Sequence, residues 1–168
     1  MPQLVRTALC LLLLLALSLG QTGGGANDQL ARHRNLGKAF FENPTTHELA
    51  AEEFRKAVAE PSSTVEDRVN FGIALLAAGK TEAGVAELKR AQEQAPAIPH
   101  TWFNLGIQYK KAGDYDKARQ QLEQMARLVN DEPVTHYNLG TLYKLDGKLI
   151  EARREFELAS KLAPQLAA

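Results

Sequence analysis

Residues 102–109 read Trp102-Phe103-Asn104-Leu105-Gly106-Ile107-Gln108-Tyr109, and the centre of this stretch returns on both sides at a fixed interval. Asn70-Phe71-Gly72 lies 34 residues before Asn104-Leu105-Gly106, and Asn138-Leu139-Gly140 lies 34 after it. Each is followed seven residues later by a second glycine, at Gly79, Gly113 and Gly147. Leu88, Leu122 and Phe156 keep the interval, and Ala91, Met125 and Ala159 follow them three residues on. Pro96 and Pro164 close two of the units, with Asn130 in the corresponding place of the middle one. Self-similarity at this period marks a stack of supersecondary units, none of which buries its apolar face alone.

Each unit predicts two amphipathic helices joined by a tight turn, because the large apolar residues recur at three- and four-residue intervals. The first glycine lets a neighbouring helix come close. The second, in Ala-Gly-Lys, Ala-Gly-Asp or Asp-Gly-Lys, supplies the positive φ that ends the first helix. Thr64 with Asp67, Thr45 with Glu48, and Asp114 read as helix-starting caps.

Residues 102–109 contain W-x₂-L-G-x₂-Y without a substitution, and Ala118 and Leu122 continue the pattern. The next unit offers Leu139-Gly140, Tyr143, Ala152, Phe156, Ala159 and Pro164. This resembles the tetratricopeptide repeat. The second unit is looser, with Arg68 in the Trp position, Leu75 for Tyr and Gly84 for the first Ala of its second helix. A further unit precedes it, with Asn35-Leu36-Gly37 and Phe40, then Ala50, Phe54 and Ala57. Gly37 lies 35 residues before Gly72, which puts one extra residue in the turn around Glu42–Thr46, where Asn43-Pro44 signals a break. The resemblance covers residues 29–164, in units of about 29–63, 65–98, 99–132 and 133–166. It implies an all-α, right-handed superhelical solenoid of about four helix-turn-helix repeats.

Outside the repeats, the first twenty residues have the layout of a secretory signal peptide. Arg6 precedes Ala8–Leu19, an apolar run broken only by Cys10 and Ser18, and small residues at Ser18 and Gly20 suit cleavage before Gln21. Twelve helical residues reach only ~18 Å, short of a ~30 Å hydrocarbon core. Cys10 is preceded by Leu9 inside the apolar run, which argues against lipidation, and cleavage would remove the one cysteine. Residues 21–28 (QTGGGAND) read as a flexible linker. The expectation is an exported protein, periplasmic or secreted, without membrane attachment after cleavage.

Charge and composition exclude several classes. Twenty Lys+Arg balance twenty Asp+Glu, so the basic excess typical of nucleic-acid partners is absent. His33, His47, His100 and His136 fall in different helices or turns without metal-ligand spacing, and surface or partly packed roles are expected for them. No G-x-S-x-G elbow occurs, and the glycines at 23–25 are not followed by Lys-Ser/Thr. No catalytic residue, metal site or cofactor is assigned, and an enzyme is not expected.

The resemblance implies a concave face lined by the first helices. It places Asn35 and Lys38, Asn70 and Ile73, Asn104 and Ile107, and Asn138 and Thr141 on that face. Arg34, Val69, Phe103 and Tyr137, each preceding an Asn, are added to it. The four Asn form a ladder suited either to gripping a peptide backbone or to bonding within the scaffold. Phe103 and Tyr137 either cover a ligand or pack on each other. Arg34, Lys38 and Asn70 resemble the first half of a carboxylate clamp found in some relatives, whereas His100 and Asn104 stand where that clamp has Lys and Arg. The groove therefore reads as cationic at its N-terminal end and apolar at its centre.

The expected function is an exported, non-catalytic scaffold that binds a protein or peptide segment in this groove. One alternative is an assembly module that docks through an uncapped C-terminal end, as a homodimer or on a partner. Leu158 and Leu162 are expected to stand exposed there, with only residues 163–168 to cover them. Another is an accessory repeat region of an exported enzyme or propeller system, since signal peptide plus similar repeats resembles bacterial secreted proteins of that build.

Overall fold

A computed structural model describes residues 25–164. The expected signal peptide, linker residues 21–24 and tail residues 165–168 lie outside the described residues. The described chain forms eight α-helices and no strand: α1 Gly25–Phe41, α2 His47–Ala59, α3 Val65–Ala77, α4 Thr81–Gln94, α5 Pro99–Lys111, α6 Tyr115–Leu128, α7 Pro133–Leu145 and α8 Leu149–Leu162. They pack as successive pairs, α1 on α2 through α7 on α8, and each pair leans on the next to make a helical solenoid. The linker expected over 21–28 is overtaken by α1 from Gly25, with Asp28 placed in the first turn, where a carboxylate favours a helix start.

Local chemistry explains most helix ends. Thr64 and Asp67 form a capping box at α3, and the Asp114 carboxylate accepts from the Lys117 backbone N–H at 3.3 Å to cap α6. Pro99 and Pro133 open α5 and α7, where a missing N–H costs nothing. Gly79, Gly113 and Gly147 hold φ of 77°, 78° and 73°, the left-handed conformation that ends α3, α5 and α7. The expected Thr45/Glu48 cap does not form. Pro44–Thr46 is instead a turn of 3₁₀ helix that absorbs the extra residue, and Asn43 Oδ1 caps it from the Thr45 N–H at 3.0 Å. Thr46 becomes the N-cap of α2 without a side-chain cap bond, its hydroxyl donating instead to the Phe40 and Asn43 carbonyls.

The other recurrent glycines have a packing cause. A Cβ on Gly37, Gly72, Gly106 or Gly140 would sit 2.8 Å from Phe54, Leu88, Leu122 or Phe156 respectively. Each glycine is thus the socket for a large apolar side chain of its repeat's second helix. Phe54, Leu88 and Leu122 are buried, each filling of this kind being worth roughly 1.5–3 kcal/mol. The core runs through the solenoid as three clusters. Ala50, Ala51, Phe54, Ala74 and Leu75 join the first two repeats. Val69, Leu88, Ala91 and Leu105 join the second and third, and Ala118, Leu122, Leu139 and Leu142 the third and fourth.

Polar pairs clasp the helices of single repeats. His33 Nδ1 meets Glu53 at 2.7 Å, Arg68 meets Glu87 at 2.7 Å, and His136 Nδ1 meets Glu155 at 2.7 Å, all at equivalent repeat positions. The third repeat puts Trp102 there, whose indole N–H donates to the Pro96 carbonyl at 2.7 Å. Two of the four histidines are therefore helix-to-helix ties, as partly packed roles would have it.

Candidate binding groove

Three of the expected groove residues converge. Lys38 of α1 and Asn70 and Ile73 of α3 line a cleft of about 300 Å³ together with Phe41, Glu42 and the buried Phe54 ring. The α1 and α3 first helices run side by side here, so the cleft presents one amine, one amide, one carboxylate and an apolar floor. Such a lining can hold an extended polypeptide by its polar groups while seating an apolar side chain. Asn35 and Lys38 are exposed, and Asn104, Ile107 and Thr141 are half-buried farther along.

Other expected groove residues face elsewhere. Arg34 is spent: its guanidinium makes a bidentate pair with Asp67 of the next repeat, 2.6 and 2.7 Å, so it is not a free clamp cation. Burial pushes the Asp67 carboxyl up, but the Arg34 and Thr64 hydrogen bonds outweigh that and hold it below its ordinary value. Val69 is buried between the second and third repeats, and Phe103 packs on the cluster joining the third and fourth. The residue before each Asn thus points at the following repeat rather than at the concave face. Tyr137, at the same position, is 59% exposed because no further described helix covers it. It does not stack on Phe103 but tilts against Phe156, with ring centroids 5.6 Å apart.

The Asn ladder divides. Asn104 and Asn138 donate to carbonyls one turn back, His100 and Val134, both at 2.8 Å. Asn138 is buried, and its Oδ1 accepts from Lys110 Nζ at 2.8 Å, so this rung belongs to the scaffold. Thr141 similarly donates to the Tyr137 carbonyl at 2.9 Å. Beside it the Tyr143 hydroxyl donates to Glu123 at 2.8 Å. Burial first, and that acceptor second, push the phenol up to about 12.

The C-terminal end also differs from expectation. Leu158 and Leu162 are half-buried, while Leu145, Leu149 and Ile150 are exposed by 58%, 67% and 85%. Leu158 and Leu162 lie two residues beyond Phe156 and Ser160, about 200° around the helix, and so on its opposite side. The open face is carried by Lys144, Leu149, Arg153, Phe156 and Ser160 around a cleft of about 610 Å³. Sequence reading missed these residues, although the 34-residue shift from Lys110, Tyr115, Arg119, Leu122 and Ala126 points to them.

Among the described residues no three His, Cys, Asp or Glu side chains gather closely enough to hold a metal ion. None of the described helices is long and apolar enough to cross a membrane.

Comparison with curated protein sequences gives no match. Among solved structures, the fold is similar to a crystal structure of MamA, with 22% identity over 82% of this chain and 80% of that one, TM-score 0.72. MamA residues 41 to the end from Desulfovibrio magneticus RS-1 give 20% identity over 82% and 77%, TM-score 0.72. A further MamA crystal structure gives 22% identity over 84% and 78%, TM-score 0.69. Profiles described as tetratricopeptide repeat match residues 99–131 and 134–166. With the same helix pair repeated from α1 to α8, the chain belongs to the tetratricopeptide repeat proteins.

Proposed function

We propose that this protein is an exported, non-catalytic scaffold that binds an extended segment of a partner protein in its concave groove. The observation that carries this reading is the cleft between the first two repeats, where Lys38, Asn70 and Ile73 meet over Phe54. An amine and an amide beside apolar surface suit a segment with an acidic group next to an apolar side chain. Asn70 is the rung of the ladder with both half-exposure and a place in the cleft. Export is supported by the first twenty residues.

The test is capture from an exported-protein fraction by the full chain, beside Lys38→Glu and Asn70→Ala variants of matched helicity. A segment bound in the cleft should be lost with Lys38→Glu and weakened several-fold with Asn70→Ala. Identical capture by all three proteins would remove the cleft from the binding site. Among the described residues nothing covers the C-terminal face, which favours a second kind of contact, through the end of the stack.

A further inference from the structure

We propose that the C-terminal face is a socket for helix α1 of a second copy of this chain, so that molecules stack head to tail and continue the solenoid. This contact uses none of Lys38, Asn70 and Ile73, so it stands or falls separately from binding in the cleft.

Most groups in the socket have a counterpart one repeat earlier whose job is visible. At the junction of the third and fourth repeats, Ala118 and Leu122 pack on Leu139 and Leu142 of α7, with Phe103 and Ala126 against the same cluster. Lys110 Nζ donates to Asn138 Oδ1 at 2.8 Å, and the Arg119 guanidinium lies 6.0 Å from the Tyr143 ring centre. Thirty-four residues on, Lys144, Ala152, Arg153, Phe156 and Ser160 line the open cleft of about 610 Å³, with Tyr137 tilted against Phe156. What that set receives is a helix carrying Asn, an apolar residue, then another apolar residue and an aromatic ring, in the spacing of Asn138, Leu139, Leu142 and Tyr143.

Helix α1 carries that pattern as Asn35, Leu36, Ala39 and Phe40. The corresponding faces of α3, α5 and α7 are already taken by the repeats before them. Among the described residues that of α1 is open: Asn35 and Ala39 are exposed and Leu36 half-buried, whereas Asn138, Leu142 and Leu139 are buried. The polar partners also match. Lys144, exposed in the single chain, meets the second copy's Asn35 as Lys110 meets Asn138. Arg153 meets its Phe40 ring as Arg119 meets Tyr143. Phe40 has no hydroxyl for Glu157, the counterpart of Glu123, so the junction between copies lacks one hydrogen bond of the junction within the chain. A weaker and reversible contact follows.

Such an interface is heterologous and does not close at two copies. Sedimentation of the full chain over a range of concentrations should show average mass rising past that of a dimer. Ala39→Arg puts bulk and charge on the plug, and Leu149→Glu places a carboxylate in the socket beside the incoming Glu42. Both sites are exposed, so helicity should be kept. Each variant alone should stay a single chain, because it has lost one of its two faces. Their equimolar mixture should form particles of two chains and no larger, since one variant keeps its socket and the other its plug. Three results overturn the proposal. One is a wild type that stays single throughout, its end covered by its own tail or by another protein. A second is growth that stops at two and ignores Ala39→Arg, which would mean that C-terminal faces pair with each other. The third is growth by either variant alone.

Discussion

Replacing Gly84 by Ala should destabilise the protein, although sequence logic points the other way. The equivalent positions of the other repeats are Ala50, Ala118 and Ala152, so the change makes the second repeat conform. Inside a helix it should also gain about 1 kcal/mol of propensity. The crossing of α3 and α4 opposes this. A Cβ on Gly84 would lie 2.8 Å from Cγ and Cδ2 of Leu76 and 2.9 Å from the Gly72 carbonyl oxygen. Leu76 can turn aside, but a helix carbonyl moves only with its backbone. This crossing is also tighter than the next one: the carbonyl of Gly84 is 3.2 Å from a Cβ on Gly72, against 3.4 Å from Ala118 O to one on Gly106. Overpacking of this kind costs typically about 1–3 kcal/mol. Set against the propensity gain, the net loss is about 1 kcal/mol, or roughly 3–4 °C in Tm for a domain of this size. Thermal melts followed by circular dichroism measure it directly. A Tm that rises by a similar amount would mean the helices can part freely and that glycine there has no packing cause.

Two more outcomes follow from polar groups at the junctions. Thr101 and Thr135 are buried at equivalent positions, but Thr101 donates to the Ile98 carbonyl at 2.8 Å while Thr135 Oγ1 has no partner among the described residues. Valine keeps the shape, so Thr135→Val should gain about 1 kcal/mol and Thr101→Val lose about as much; equal losses in urea melts would show that Thr135 is satisfied. For Asp67, the folded carboxyl titrates below its ordinary value of 3.8. Its contribution is therefore complete above about pH 4 and lost as pH falls through the folded value. Asp67→Asn should cost about 2 kcal/mol at neutral pH by weakening the Arg34 pair and the α3 cap. It should also flatten the acid limb of the stability curve, and an unchanged limb would take Asp67 out of the acid response.

The period of the sequence made the helix pairs legible, with the second glycine of each of the last three units marking where a first helix ends. It also located the glycines, because a positive φ and a close crossing each leave only one residue type. It did not say which way each side chain leans between neighbouring repeats. Val69 and Phe103 read as groove residues but turn onto the next repeat, since that direction depends on the angle between successive pairs, which many contacts fix together. Arg34 reads as a free cation until Asp67 is seen opposite it, where the later repeats have Thr101 and Thr135. Asn138 reads like the other rungs until Lys110 reaches it from the preceding repeat. Departures of this kind belong to single junctions and leave no periodic trace.

The near-identical turns at Gly79, Gly113 and Gly147 bear on how such a chain can change in length. Each of the last three repeats turns back on itself through the same left-handed glycine, so size comes in whole units, much as a chain of links does. Excising residues 99–132 would let Ile98 run into Pro133 as it now runs into Pro99, with a proline still opening the helix. The surface that now receives Leu105 would receive Leu139. Losing some other number of residues would turn a wrong face of every later helix toward its neighbour. The spectrum of allowed lengths is therefore discrete, and its step is the repeat.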